Sequence, residues 1–300
     1  MVVIKLSKTA CTVCLFVTAI IWGLAFTAQR LGADCMGAFT FNGARFLLGA
    51  VSLIPVIYLF ERDQGTSKEE FYTVMAGIGG GVILFSAASL QQFGVEWTGS
   101  AGRSGFITGL YTVLVPILGI FLGRRAGLLV WAGAVCAVFG LFLLSVPSEG
   151  PIMAGDIVLF IGSFFWAWHI VYVGSLVSRI KPILFSMAQF AVCGILSLIC
   201  AFLFEDITIS LLSAGLMPIL YSGFLSVGIA YTLQIVGQKG VEPAKAAIIF
   251  TLETLFSIVG GALLLGETMD VRGYAGCVFI FAGIIISQIT MKSLDRDKYP

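Results

Sequence analysis

Long apolar runs separated by short polar breaks divide the chain into ten windows, near 9–30, 37–60, 70–93, 100–122, 127–146, 152–177, 183–204, 214–237, 244–266 and 271–291. Each can cross about 30 Å of hydrocarbon as an α-helix, which needs roughly twenty residues. Barrel strands would be about ten residues long and would alternate strictly. Runs such as AGAVCAVFGLFLLSV do not alternate. The pattern predicts an all-α integral membrane protein of ten transmembrane helices. Composition then removes alternatives. At 59% apolar and 11% charged, the chain is far from soluble folds, which carry about 25% charged residues. Its 17 Lys and Arg nearly balance 16 Asp and Glu, so no basic field exists to attract nucleic acid. The longest polar stretch, Glu61 to Glu70, is too short for an extramembrane domain. Function must be built between the helices, with the lipid bilayer and a small-molecule substrate as expected partners.

The seven cysteines are odd in number and scattered, which is no disulfide framework. Cys11 and Cys14 spell C-x-x-C inside an apolar run with no strand before it, which reads as helix packing. No metal or cofactor is expected. Lys5 and Lys8 ahead of an apolar run imitate a signal peptide, but the run has span length and lacks a clear cleavage site, so it reads as an uncleaved first span.

Charge sets direction, because positive loops stay cytoplasmic. With the N-terminus inside, thirteen Lys and Arg fall on the inner side, three (Arg30, Arg103, Arg272) on the outer side, and Arg45 within a span. Both termini are therefore expected in the cytoplasm, and the protein in the cytoplasmic membrane.

The chain also matches itself. Shifted by 143 residues, Leu90-Gln91 falls on Leu233-Gln234, Gly94 on Gly237, Thr108 on Thr251, Gly123 on Gly266, Gly133 on Gly276 and Gly140 on Gly283. With one more residue of offset, Trp22 falls on Trp166, Phe41 on Phe185 and Phe46 on Phe190. This gives a first repeat over 1–148, a second over 149–292, and a short cytoplasmic tail over 293–300. Five helices per repeat is an odd number, so the second half enters the membrane from the opposite side. Inverted repeats of this kind place a substrate site near the midplane between halves and allow two related conformations, which points to a secondary transporter working by alternating access.

Several features then resemble the drug/metabolite transporter superfamily of the EamA type. They are Trp22-Gly23 followed by Phe26, Arg45-Phe46 in the second span, a small-residue fourth span ending in Pro116 and Gly119, and Gly266-Glu267 before a short turn. Their order within a ten-span double repeat carries the resemblance. Gly123-Arg124 departs from it, standing where the first half should match Gly266-Glu267. The resemblance implies proton-linked or facilitated movement of a small metabolite, such as an amino acid, an amine or a related solute. Protons as coupling ion and a homodimer are compatible with it.

Polar residues at depth mark the candidate site. Glu253 lies near the middle of the ninth span, where an acidic side chain costs roughly 2.5–3.5 kcal/mol on insertion scales. It is expected to serve as counter-ion to an amine or as a proton-coupling group. Trp22 and Trp166 are repeat-related and too deep for a headgroup belt, so they read as cavity walls, with Trp168 toward lipid. His169 shares a helix face with Trp166. Gln91 and Gln234, Tyr111 and Tyr231 complete the polar set. Arg45, with Asn42 one turn earlier, reads as architectural or gating, and Pro116 as a kink in a moving helix. Gly77-x-x-x-Gly81, Gly105-x-x-x-Gly109 and Gly119-x-x-x-Gly123 read as close helix seams.

Two rivals exist. Gly102-Arg103-Ser104-Gly105 resembles the G-x-S-G of rhomboid intramembrane proteases, with His169 as partner. Against it, Ser104 matches Ala247 in the other half, and ten spans are too many. A channel would require a ring of charges or a repeated filter sequence, which the chain lacks. No enzyme is expected.

Overall fold

The computed structural model describes residues 7–61, 66–123, 126–145, 153–265 and 271–289. Ten helical segments follow in order: α1 (Lys8–Ala33), α2 (Ala38–Phe60), α3 (Ser67–Thr98), α4 (Ala101–Phe121), α5 (Leu128–Ser145), α6 (Ala154–Leu176), α7 (Pro182–Phe204), α8 (Leu216–Gln238), α9 (Pro243–Leu264) and α10 (Val271–Gln288). Eight are long and apolar enough to cross a membrane, and α5 and α10 contain shorter apolar windows. Local chemistry fixes their ends. Ser7, Thr66, Ser100 and Thr208 each accept a backbone N–H three residues on, the first two starting α1 and α3, Ser100 starting α4, and Thr208 starting a short helix ahead of α8. Gly99, at φ 63°, closes α3 in the left-handed conformation that glycine adopts without strain. The Gly266-Glu267 pair, Arg124 and the repeat boundary at 148/149 lie outside the described residues.

The two repeats are inverted and meet through helix pairs related by the repeat. In one pair, α5 and α10 run antiparallel at backbone contact. A methyl added at Gly133 would lie 2.6 Å from the carbonyl oxygen of Gly283, and one at Gly140 would lie 2.6 Å from that of Gly276. These are the glycines that coincide in the self-match. In the other pair, α2 and α7 cap one another. Glu205, just past α7, accepts from the backbone N–H groups of Phe39 (2.8 Å) and Thr40 (2.7 Å) and from the Thr40 hydroxyl (2.7 Å) at the start of α2. Glu61, just past α2, accepts from the N–H groups of Ile183 (3.0 Å) and Leu184 (2.8 Å) at the start of α7. Each carboxylate thus satisfies orphan donors at the positive end of its partner's dipole.

Four helices depart from regular α geometry: α2 is interrupted at Leu53, and three others border the centre. The α4 helix breaks into Ala101–Gly109 and Tyr111–Phe121, and α9 into Pro243–Phe250 and Leu252–Leu265. At the breaks, Leu110 and Thr251 bond three residues back rather than four. The break in α4 lies at Leu110, ahead of Pro116, which sits inside the second half of the helix. The third is α8, which is π-helical over Tyr221–Tyr231. Its carbonyls at Ser226 and Ala230 accept hydrogen bonds from Trp22 Nε1 (3.2 Å) and Thr18 Oγ1 (3.0 Å) of α1.

Candidate functional site

The two breaks place Tyr111 and Glu253 at the first turn of the resumed helices. There the Tyr111 hydroxyl donates to Glu253 Oε1 at 2.8 Å. Two threonines bond across the same junction: Thr254 Oγ1 to the Gly105 carbonyl at 3.0 Å, and Thr112 Oγ1 to that of Ala247 at 3.2 Å. Interrupted helices at mid-membrane are tolerated where they line a cavity. Here they do: Trp22, Phe26, Gln29, Arg45, Gln91, Thr108, Tyr111, Trp166, Tyr231, Gln234 and Glu253 surround a central cavity of about 30 Å³. That is room for a water or two and not for a solute.

The aromatic wall is continuous. Trp22 meets Tyr231 edge-on with centroids 4.6 Å apart and leans on Phe250 at 5.2 Å, while Trp166 lies over Tyr231 at 6.2 Å. Arg45 is 3% exposed. Its Nε donates to Asn42 Oδ1 at 2.9 Å, and its guanidinium carbon lies 5.3 Å from the Phe41 ring centroid and 4.9 Å from that of Phe46. Gln91 donates to Gln29 at 2.9 Å, and Gln92 to the Gln29 carbonyl at 3.1 Å.

Seven of the site residues expected from sequence line this cavity: Glu253, Trp22, Trp166, Gln91, Tyr111, Tyr231 and Gln234. His169 does not line it. The imidazole sits behind the wall with Nε2 at 2.9 Å from Gln189 Oε1, edge-on to Trp166 and Tyr231. Arg45 joins the cavity wall rather than standing apart from it. Trp168 is exposed on the outside of the bundle. Gln29, Thr108 and Ser226 also line the cavity, unanticipated. Gln29 carried the same signal as Gln91, a polar side chain inside an apolar run, and Thr108 lay in the repeat match. Ser226 contributes its carbonyl to Trp22, which no sequence pattern announces.

A second cavity, of about 600 Å³, opens toward the face that carries the start of α1 and the end of α10. Val115, Pro116 and Gly119 of α4, Val171 and Gly174 of α6, and the α8–α9 turn line it. Lys239 stands in that turn, exposed at the cavity rim, and desolvation pulls its ammonium below the usual lysine range against the opposing pull of Glu61. The partition between the cavities is one helical turn thick: Gln234 of the central cavity donates to Gln238 of the second at 3.2 Å, and Gln238 donates to the Ile170 carbonyl at 3.0 Å.

The other face is sealed in depth. Beyond the Gln29–Gln91 bond, Arg30 donates to the Gly99 carbonyl at 3.1 Å and pairs with Asp34. Arg103 Nε donates to Asp156 Oδ1 at 2.7 Å, tying α4 to α6. Ser104 donates to the Ser100 carbonyl at 2.7 Å and lies 2.9 Å from the Thr98 hydroxyl, whereas His169 is bonded to Gln189. The serine and histidine of the protease reading do not meet.

Of the three glycine seams, Gly77 and Gly81 pack on α7 and Gly105 on α9. Gly119-x-x-x-Gly123 is not a seam: Gly119 faces the second cavity and Gly123, at φ 74°, ends the helix in a turn.

The EamA-like transporter family matches the chain twice, over residues 9–146 and 153–288. An uncharacterized transporter of Archaeoglobus fulgidus is 25% identical over 91% of this chain and 83% of its own length. A probable amino-acid metabolite efflux pump of Salmonella typhimurium is 24% identical over 89% of this chain and 91% of its own. A crystal structure superposes with a TM-score of 0.76 at 17% identity, covering 94% of this chain and 97% of that one, a likeness of fold.

Proposed function

Because the chain belongs to the EamA-like transporter family, we propose that it carries a small solute across the cytoplasmic membrane by alternating access, and that this structure is an inward-facing form with the central cavity closed off from the vestibule. The observation that carries the reading is the unequal sealing of the central cavity. One turn of helix separates it from the 600 Å³ vestibule, while several layers of polar contacts stand between it and the other face. The vestibule face is then cytoplasmic, in accord with the lysine and arginine bias of its loops. In the alternate state the vestibule closes as α4 settles against α6, and the repeat-related seam between α1 and α9 opens. Similarity to proteins named probable amino-acid metabolite efflux pumps supports amino acids and their relatives as the first solutes to try.

Counterflow in proteoliposomes tests this. Vesicles loaded with an unlabelled amino acid should accumulate the labelled compound transiently, and only when the protein is present. Absence of counterflow for every amino acid and amine tried, with folded protein, would overturn it.

A further inference from the structure

Arg45 is a buried charge without an opposite charge. Its Nε is held by Asn42, two phenylalanine rings flank the guanidinium, and among the described residues no carboxylate lies within ion-pair distance. Glu253 is in the same position with the sign reversed. One oxygen accepts from Tyr111, and no cation pairs with the carboxylate among the described residues. The two line one cavity without forming an ion pair with each other. Around them stand polar atoms with no hydrogen-bond partner: Trp166 Nε1, Thr108 Oγ1 and Gln234 Oε1. Burying charge and polar groups unsatisfied is costly, and a protein keeps such a set where a ligand completes it.

On the reading above, that this cavity widens to take the transported solute as access alternates, we propose that the site selects a zwitterion: an α-amino acid whose carboxylate is bound by Arg45 and whose ammonium is bound by Glu253. The cavity holds one positive and one negative group, so a ligand of zero net charge with both poles satisfies both. A simple amine would leave Arg45 unpaired and bring a second cation beside it. A simple carboxylic acid would do the same to Glu253. Discrimination thus arises from the charge each wrong ligand leaves buried alone. Trp166 Nε1–H is a further donor for the carboxylate, and Gln234 Oε1 a further acceptor for the ammonium. Trp22 and Tyr231 offer ring faces to that ammonium and apolar area to the side chain. Arg45, read from sequence as architectural, becomes a specificity-determining residue.

The test crosses ligand charge with protein charge. Purified protein in detergent is titrated with the twenty common amino acids. The tightest binder is then compared with its methyl ester, which keeps the ammonium alone, and its N-acetyl derivative, which keeps the carboxylate alone. Wild type should bind the parent at least about 30-fold more tightly than either derivative, the scale expected when one member of a buried charge pair is removed. Arg45→Gln should erase the preference over the ester and leave the preference over the N-acetyl compound. Glu253→Gln should do the converse. Arg45→Lys and Glu253→Asp, which keep charge, should keep the pattern and serve if the neutral variants do not fold.

Equal binding of parent and ester by wild type, uniform loss across all three ligands in a variant, or no binding of any amino acid would overturn the assignment. The two readings fail separately. Charge-selective binding without counterflow would sink transport and leave the site standing, whereas counterflow of amines alone would sink the zwitterion and leave transport.

Discussion

The seam between α1 and α9 and the one between α6 and α4 are built from repeat-related stretches and end in opposite states. In the first, Gly23 and Gly260 let backbones touch: a methyl at Gly23 would lie 2.5 Å from the Glu253 carbonyl oxygen, and one at Gly260 would lie 2.6 Å from Thr27 Oγ1. In the second, the counterparts of Gly23, Thr27 and Gly260 are Ala167, Val171 and Ile117, and Val171 faces the vestibule. On the proposed mechanism the pseudo-symmetry supplies two related gates, and Gly23, Thr27 and Gly260 on one side against the bulkier Ala167, Val171 and Ile117 on the other favour the first as the closed one. Inverted topology alone leaves the choice open; the side chains bias it.

That difference can be broken from either end. The largest effect is expected from Gly260→Val. The first added carbon already overlaps Thr27, so overpacking should cost about 1–3 kcal/mol of stability, lower the melting temperature and abolish counterflow. A thiol at Thr27→Cys should in turn become reactive toward reagents added from the outer face. An unchanged melting temperature and transport rate would show the seam to be looser than drawn. Val171→Phe probes the counterpart. Its bulk has a cavity to occupy, so the melting temperature should hold while counterflow falls at least about tenfold, equivalent to about 1.4 kcal/mol, because the vestibule can no longer close. Loss of stability with normal transport would reverse the assignment of the two seams.

A smaller effect is expected at the mutual caps. Glu205→Gln and Glu61→Gln should each lower stability by about 1 kcal/mol, with Glu205 the more costly because it accepts three hydrogen bonds to Glu61's two. The smallest belongs to Ser104→Ala. Its hydroxyl bonds only within its own helix end and to Thr98, so transport should stay within about twofold of wild type, a difference under about 0.5 kcal/mol. Abolished function in folded protein would revive the nucleophile.

The helices were legible because lipid demands long apolar runs; their ends were less so, since the third run was bounded at 70–93 while its helix extends into polar residues from the Thr66 cap to Gly99. The central aromatic and carboxylate residues were legible for the same reason, since Glu253, Trp22 and Trp166 are conspicuous at that depth. The breaks at Leu110 and Thr251 were hidden. Neither break sits at a proline, and both are bridged by the Thr254 and Thr112 hydroxyls acting between helices, a tertiary cause. Arg45 was visible as a charge, but its lack of a counter-ion is a property of the assembled bundle. His169 shows the converse: a shared helix face with Trp166 did not carry it to the cavity, because Gln189 of α7 holds it behind the wall. Glu61 and Glu205 looked like loop charges, although their spacing equals the Trp22–Trp166 offset and could have paired them.

Those two glutamates have a mechanical consequence. Each grips the first amides of the helix that ends beside the other, so α2 and α7 are pinned together at both ends like the rails of a ladder. Sliding either rail by one residue, about 1.5 Å of rise, would unfasten both grips at once. On the proposed alternating-access mechanism the pair would be a fixed axle spanning the membrane, with the rest of the bundle turning about it. Spin labels at the two ends of that axle should report one distance throughout the cycle, while labels on α4 and α9 report two.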